Sequence, residues 1–290
     1  MKLAAGDLVL CSGTLPPATP WSDRLAAASA AGFRGISVWG RDHAAARRDG
    51  LSDADLRVQL DDRGLAVAEI DPAWWWLPGA AEIGKSLAGV DSLDVFRFGE
   101  QELFAVAEAL GARSLNAVDV FGGDWTLDEA AAGLAGLCDR AADYGLLVHV
   151  EFLPWSRIPD LATAWEIVRR ADRPNAGVAV DAWHWARTAP SCDLETLRKI
   201  PGAKLLAVQL DDAPAEIEPD LMHATLHDRL LPGDGAIDLE TLVATLHQIG
   251  AVAPFGVEVF SDELQALAPT EVAQRAADAT RRVVAASRGA

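Results

Sequence analysis

Cysteine is scarce in this sequence, and so are basic residues. The three cysteines among 290 residues are far apart, form no CxxC or Cys/His spacing and stand at Cys11, Cys138 and Cys192. Such a pattern indicates reduced, individually placed thiols rather than a disulfide framework. It predicts a cytoplasmic protein.

The charge balance is acidic, with 25 Lys and Arg against 43 Asp and Glu, a formal net charge of -18 and no run of basic residues. Nucleic acid and anionic membrane surfaces both require a basic face, so neither is expected as a partner. No segment approaches the roughly 20 apolar residues of a membrane span. The N-terminal apolar run is interrupted by Asp7 and is too short for a signal peptide, so it is interpreted as a first strand.

What the sequence does contain is a regular alternation of short apolar runs with Ala- and Leu-rich segments of helical periodicity. The eight strand candidates are 7–12, 35–40, 65–71, 114–121, 146–152, 176–181, 205–210 and 255–260. Several helical segments close on a glycine, as helix C-caps often do, at Gly32, Gly64, Gly111, Gly145 and Gly250. Alternating strands and helices predict a parallel sheet covered on both faces.

Eight such units predict an α/β protein with a single (β/α)8 TIM barrel domain over residues 1–290. An open doubly wound sheet would more often show a glycine-rich first turn, and the first turn here, CSGTLPPATP, has no GxGxxG. Two long insertions, 72–99 and 211–236, follow strands three and seven. In a barrel both lie at the C-terminal face, where substrate loops belong.

Four apolar strands in the second half end on a side chain that can bind a metal ion. VHVE ends at Glu151, VAVD at Asp181, AVQ at Gln209 and GVE at Glu258. Burying an unpaired charge is costly, and the ends of neighbouring barrel strands share one rim, so these side chains are expected to converge. Three carboxylates and an amide oxygen form a hard donor set suited to Mg²⁺ or Mn²⁺.

Each of these positions also has a simpler interpretation as a rim residue, solvated or paired with Arg97, Arg157 or Arg187. Repetition at the same place in four strands favours the metal site. Arg229 precedes the turn LPGDG in the loop after strand seven. It is expected either to clamp a carboxylate, phosphate or enolate of the substrate, or to form a structural salt bridge to Asp234 or Asp238.

Further polar residues and tryptophans stand where substrate loops are expected. Asp211 or Asp212 could orient a metal ligand or a water, and His43, with Arg41, follows strand two at the end suited to substrate contact. Ten tryptophans occur, and aromatic faces stack on sugar and planar rings, although they also pack barrel rims. The run at 74–76 cannot place three indoles on one face. The tryptophans expected to contact substrate are Trp39, Trp75, Trp155 and Trp183.

The ordered segments VHVE, VAVDAWH, AVQLDD, LPGDG and GVEVF resemble the sugar phosphate isomerase/epimerase superfamily, the xylose isomerase-like barrels. The resemblance covers nearly the whole chain. It implies one divalent cation, Mn²⁺ or Mg²⁺ first and Co²⁺ next, held by Glu151, Asp181, Gln209 and Glu258. It also implies that His184 faces the substrate. Gln at the third ligand position, where many epimerases have His, is more similar to the 3-dehydroshikimate dehydratase branch.

The resemblance implies an enzyme that removes a proton next to a carbonyl while a divalent cation stabilises the enolate. Glu151 or Glu258 is expected as the metal-bound acid or base, and His184 as a polarising or proton-transferring group. Returning the proton makes an isomerase or epimerase of a sugar, cyclitol or related hydroxy-ketone, which is the leading expectation. Expelling a β-hydroxyl makes a dehydratase, the alternative that Gln209 favours.

Two other classes are compatible with such a barrel. A nuclease of the endonuclease IV type needs more histidine ligands and a basic groove, which six histidines and a net charge of -18 oppose. A non-catalytic barrel that only binds a small molecule would be favoured if arginines occupied the metal ligands. Exposed Trp and Leu side chains in the two insertions would favour a homodimer.

Overall fold

Eight short parallel strands, each paired with the next along the chain and the last with the first, form a closed barrel. The computed structural model describes residues 2–80, 82 and 95–287. Its strands are Leu8–Leu10 (β1), Gly35–Trp39 (β2), Ala66–Ala73 (β3), Ser114–Val118 (β4), Leu147–Glu151 (β5), Ala176–Asp181 (β6), Leu205–Leu210 (β7) and Phe255–Val257 (β8). This confirms the predicted TIM barrel.

The predicted strands overlap the observed ones, but two of them end three residues early. The strand predicted over 114–121 ends at Val118, because Asp119 accepts a hydrogen bond from the Gly122 amide at 2.9 Å and begins a turn. The strand predicted over 255–260 ends at Val257. Strands β6 and β7 coincide with their predicted ranges because all of their residues are buried, so the apolar run matches the strand.

The barrel closes between β1 and β8, which pair over only three residues each. The fully buried Thr14 hydroxyl continues this closure, donating to the carbonyl of Val257 at 2.8 Å and accepting from the amide of Val259 at 3.0 Å. A side chain therefore takes the place of strand pairing beyond β8. This fixes the backbone on both sides of Glu258.

Helices surround the barrel and bury Leu, Val and Ala side chains against it. Within the described ranges they are Trp21–Ala30, Gly40–Arg48, Asp53–Asp62, Glu100–Leu110, Leu127–Ala142, Leu161–Ala171, Ala182–Arg187, Leu194–Lys199, Leu221–His227, Leu239–Gln248, Asp262–Gln265 and Pro269–Ala286. The Ser52 and Thr126 hydroxyls cap two of them by accepting backbone N–H groups. All five glycines predicted to follow helices have positive φ, between 60° and 78°.

Both insertions leave the C-terminal ends of strands. Part of the first, 72–99, lies outside the described residues, whereas the second, 211–236, contains the helix Leu221–His227 and a short antiparallel bridge between Asp212 and Leu230. This second insertion exposes Ile217, Met222 and Leu226. The homodimer stays a prediction. None of the helices in the described ranges has the length and apolar character needed to cross a membrane.

Candidate metal centre

The four predicted metal ligands lie together at the C-terminal mouth of the barrel. Glu151 and Asp181 are the last residues of β5 and β6, Gln209 is the second-last residue of β7, and Glu258 directly follows β8. Each of the four is at most 5% exposed. Gln209 Nε2 donates to Glu258 Oε2 at 3.2 Å. Strands that are far apart in sequence therefore converge at one buried cluster, as the strand ends of a parallel barrel must.

Asp181 and His184 are joined by local helix chemistry. Asp181 is the N-cap of the helix Ala182–Arg187, and its Oδ1 accepts the backbone N–H of His184 at 2.8 Å. The three-residue spacing thus places His184 in the first turn, where its Nε2 lies 3.7 Å from Glu151 Oε1. Glu151, Asp181 and His184 each offer a ligand atom, all within 4.8 Å of one another. The geometry therefore adds His184 to the candidate metal ligands.

Gln209 carries an unpaired carbonyl oxygen. Its Nε2 donates to Glu258, while its buried Oε1 has no hydrogen-bond partner in the described part of the chain. A buried polar atom left in this state costs about 1–3 kcal/mol, and a cation would satisfy it. Together with the neighbouring carboxylates, this amide oxygen gives a donor set that fits a divalent metal ion.

Arg229 lies inside the cluster. Its Nη1 is 2.7 Å from Asp181 Oδ2, 2.5 Å from Asp211 Oδ2 and 3.8 Å from Glu258 Oε2, and the side chain is only 3% exposed in these ion pairs. Two bonds to Thr225, from Nε to the carbonyl oxygen and from Nη2 to the hydroxyl, hold the guanidinium in place. The arginine supplies one positive charge to a group of buried carboxylates.

The structural partners expected for Arg229 were wrong. Asp238 instead caps the helix Leu239–Gln248 by accepting the amide of Thr241, and Asp234 Oδ1 lies 3.8 Å from Arg282 Nη2. Sequence proximity suggested these aspartates, but barrel closure brings Asp181 and Asp211 to the guanidinium. The substrate-clamping role of Arg229 stays a prediction.

Two of the other arginines suggested as partners of the strand-end carboxylates, Arg157 and Arg187, bind elsewhere. Arg187 pairs with Glu218, with its Nε 2.7 Å from Oε2, and Arg157 donates to the carbonyl of Trp125 at 2.9 Å. Asp212 orders the LPGDG turn by accepting the amide of Gly233 at 2.9 Å. Its neighbour Asp211 instead contacts the cluster, because its Oδ2 accepts a hydrogen bond from Arg229. Its Oδ1 accepts the backbone amide of Trp183 at 2.8 Å.

Burial determines the protonation of the cluster. Burial raises the pKa of the Glu151, Asp211 and Glu258 carboxyls well above their usual range. It acts on Asp181 in the same direction, but Arg229 and His184 outweigh it, so the pKa of Asp181 is lowered. Burial also lowers the pKa of His184 to about 4, which keeps the imidazole neutral. Protons thus compensate carboxylate charge that a divalent cation could compensate instead.

Sequence reasoning missed two residues on the opposite side of the mouth. Asn116, on β4, donates from Nδ2 to Asp71 Oδ1 at 3.0 Å and to Glu151 Oε2 at 2.5 Å. Burial, with Glu69 adding to it, raises the pKa of Asp71 to about 7. Asp71 could have been found, because LAVAEID runs from apolar residues into a carboxylate as the other strands do. Asn116 lies mid-strand and gives no such signal.

Three of the four selected tryptophans contact residues of the cluster. Trp155 and the fully buried Trp183 present their rings edge-on to His184, with centroids 5.3 and 5.4 Å from the imidazole. Trp39 donates from Nε1 to Asp71 Oδ2 at 2.8 Å. These three indoles form part of the wall around the cluster, and their contact with substrate stays a prediction.

Trp75 and His43 have their polar contacts elsewhere. Trp75 donates from Nε1 to Glu100 Oε2 at 2.5 Å, and His43 lies 2.8 Å from Asp53 Oδ1. Trp75 is nevertheless only partly buried, while Trp74 and Trp76 are 9% and 5% exposed. The three consecutive indoles follow the end of β3 at Ala73 and are buried unequally, with Trp75 the most exposed.

With this geometry in place, the chain can be compared with known proteins. The profile of the xylose isomerase-like TIM barrel family matches residues 25–283, and the chain belongs to that family. The 3-dehydroshikimate dehydratase of Pseudomonas aeruginosa is 31% identical over 265 residues, covering 90% of this chain and 38% of that protein. The inosose isomerase of Bacillus subtilis is 32% identical over 153 residues, covering 52% of this chain and 53% of that protein.

The chain thus spans between two fifths and about half of the length of these relatives, which are both named as enzymes. Among solved structures, that of the IOLI protein with a bound zinc atom superimposes with a TM-score of 0.82. The superposition covers 96% of this chain and 98% of the other, at 22% sequence identity. At that identity, the likeness concerns the fold.

Proposed function

We propose that this chain is a divalent-metal-dependent isomerase or epimerase that removes and returns a proton next to the ketone of a polyhydroxylated ring compound. The observation that carries the proposal is the buried cluster of Glu151, Asp181, Gln209 and Glu258 around a neutral His184. The named relatives support the substrate class, because inososes and 3-dehydroshikimate are both six-membered rings with a ketone and hydroxyl groups.

The cation would be held by Glu151, Asp181, Gln209 and Glu258, with His184 as an additional donor. The predominance of oxygen donors favours Mn²⁺ or Mg²⁺, while an imidazole in the set also suits Co²⁺ and the zinc found in the structural relative. When bound, the cation would supply a Lewis acid that stabilises negative charge developing on a ketone oxygen.

The acid–base chemistry would belong to Glu151 and Glu258. Both carboxyls are buried in the cluster at the mouth, where the substrate ketone would bind. They enter the cluster from β5 and β8, which are not adjacent strands, so one could remove a proton and the other could return it. The neutral His184 has an unpaired, buried Nδ1 within the described residues and can exchange a hydrogen bond with a substrate oxygen.

A dehydratase acting on 3-dehydroshikimate is the second candidate. Gln209 at the third ligand position and the match of the Pseudomonas enzyme over 90% of this chain both favour it. Charge opposes it, because 3-dehydroshikimate carries a carboxylate. The guanidinium of Arg229 is already paired with Asp181 and Asp211. A neutral ring ketone matches this acidic cluster better than an anionic substrate does.

Proton exchange in D₂O tests the proposal. The chain would be incubated with Mn²⁺ and, separately, an inosose, a ketohexose and 3-dehydroshikimate, and followed by proton NMR and mass spectrometry. We expect deuterium at the carbon next to the ketone of the inosose or the ketohexose, without loss of water. Loss of water from 3-dehydroshikimate alone would replace the isomerase with the dehydratase.

Two substitutions make the experiment specific to the cluster. Glu258→Gln should lower exchange by about 10²–10⁴-fold, the usual contribution of an acid–base group. Glu240→Gln, an exposed glutamate on the helix Leu239–Gln248, should leave the rate unchanged. Absence of exchange with any ring ketone would overturn the enzyme proposal. It would favour a binding barrel, which the contacts of Arg229 with Asp181 and Glu258 also suit.

A further inference from the structure

The amide of Asn116, on β4, bridges carboxylates from the strands on either side of it, β3 and β5. Its Nδ2 donates to Asp71 Oδ1, two residues before the end of β3, and to Glu151 Oε2 at the end of β5, at 3.0 and 2.5 Å. The other oxygen of Asp71 accepts the indole N–H of Trp39 at 2.8 Å. Trp39, Asp71, Asn116 and Glu151 therefore form one hydrogen-bonded chain across the β2–β5 side of the mouth.

The orientation of this amide is set by its two acceptors. Asn116 is 1% exposed, and its Oδ1 has no hydrogen-bond partner among the described residues. Rotating the amide by half a turn would place the carbonyl oxygen against two carboxylate oxygens. The side chain keeps its NH₂ group toward Asp71 and Glu151 even though this leaves the carbonyl unpaired, a cost of about 1–3 kcal/mol.

This arrangement distinguishes the two oxygens of Glu151. Oε2 is held by Asn116, whereas Oε1 lies 3.7 Å from His184 Nε2. Glu151, His184 and Asp181 are the three residues whose ligand atoms lie within 4.8 Å of one another. Fixing Oε2 thus fixes the rotation of the carboxylate relative to the candidate ligands.

We propose that Asn116 is a positioning residue that orients Glu151 for metal binding, and that Asp71 keeps the Asn116 amide in the required orientation. This inference rests on the proposed function, since it concerns a ligand of the proposed metal. Partners that orient metal ligands typically contribute 10–100-fold in metal affinity. Asn116 would do so from a strand that provides none of the four predicted ligands.

Mn²⁺ affinity, measured by electron paramagnetic resonance of the free and bound ion, tests this directly. Asn116→Ala should weaken binding by about 10–100-fold and change the spectrum of bound Mn²⁺. Asp71→Asn should have a smaller effect in the same direction. The asparagine amide would offer a single oxygen to two donors, Trp39 Nε1 and Asn116 Nδ2. Ser114→Ala is the matched control: Ser114 is equally buried on β4, and its hydroxyl donates to Ala68 O at 2.9 Å, away from the cluster.

The outcomes separate the two proposals. Wild-type affinity and spectrum in both Asn116→Ala and Asp71→Asn would overturn the positioning role and leave the metal site intact. An equal loss in Ser114→Ala would also overturn it, because general disturbance of β4 would then explain the effect. Absence of Mn²⁺ binding by the unsubstituted, folded protein would overturn the proposed function and this inference together.

Discussion

The two halves of the barrel mouth are built from different chemistry. The half formed by β5 to β8 provides Glu151, Asp181 and Glu258, with the guanidinium of Arg229 reaching Asp181 and Glu258. The half formed by β1 to β4 provides the neutral donors Trp39 Nε1 and Asn116 Nδ2. Its carboxylate in the cluster, Asp71, has a pKa raised to about 7 by burial and by a neighbouring glutamate. One half must compensate charge, while the other can maintain its geometry through hydrogen bonds.

Because of this contrast, we expect substitutions in the two halves to have different effects. Substitutions on the β5–β8 side should change charge balance, so their effects should depend on metal and on pH. On the β1–β4 side, substitution of Thr14 should change barrel closure with little dependence on metal, whereas substitutions of Asn116 and Asp71 should act on the metal site through the orientation of Glu151. Unfolding experiments with and without Mn²⁺ can therefore test the division residue by residue.

Replacing Arg229, the buried positive charge among the carboxylates, should have the largest effect on stability. Arg229→Met leaves Asp181, Asp211 and Glu258 buried without a counter-charge, which typically costs about 3–5 kcal/mol. Urea unfolding in the presence of a chelator would measure this loss at neutral pH. We expect Mn²⁺ to restore part of the lost stability, since it supplies positive charge to the same carboxylates.

Arg187→Met is the control for that substitution. Arg187 is also buried on the C-terminal side, but it pairs with Glu218 and not with the cluster. Its loss should destabilise the protein to a similar extent with and without Mn²⁺. If Mn²⁺ rescued both variants equally, the special role of Arg229 in charge compensation would be wrong.

Barrel closure should give the next largest effect. Thr14→Val removes one donor and one acceptor from buried backbone groups at Val257 and Val259, at a cost of about 1–3 kcal/mol. Thr280→Val offers a matched comparison, because Thr280 is also fully buried but its hydroxyl only bonds back to Ala276 within its own helix. Urea unfolding should show the larger loss for Thr14→Val; equal losses would contradict the closing role of Thr14.

The raised pKa of Asp71 should be visible in the pH dependence of stability. Its pKa is about 7 in the native protein against 3.8 for an ordinary aspartate. Between these values the native state keeps a proton that the unfolded chain has lost, so this group makes the protein less stable as pH rises from about 4 to 7. In chelator, Asp71→Asn should make the decline shallower between about pH 4 and 7. Part of the decline should remain, because Glu151, Asp211 and Glu258, whose pKa values are also raised, still contribute to it. Above that window the two proteins should respond alike to pH. Parallel profiles throughout would contradict the assignment.

Substitution of His43 should have the smallest effect, measured on the exchange rate in D₂O. Because its imidazole binds Asp53 and not the cluster, His43→Gln should leave the exchange rate in D₂O close to that of the unsubstituted protein. Trp155→Phe, which alters a ring in contact with His184, should lower that rate more. The reverse order would mean that the substrate extends across β2, as the sequence alone suggested.

The alternation of apolar runs was sufficient to predict the barrel, because strands covered on both faces are apolar over their whole length. The charged half of the mouth could also be predicted, since a carboxylate at the end of such a strand stands out. Asn116 could not, because one polar residue within SLNAV does not reveal its partners. The partners of Arg229 were missed because the fold brings Asp181, 48 residues away, closer than the nearby Asp234 and Asp238.

The closure between β1 and β8 has a consequence for synthesis. Glu258 is held between two backbone groups that bind Thr14, and Thr14 and Val257 are 243 residues apart. Synthesis must therefore pass Val257 before the last carboxylate of the mouth can join the others. We expect nascent chains stalled before residue 254 to have an open seam beside β1 and to lack the affinity for Mn²⁺ of the released protein.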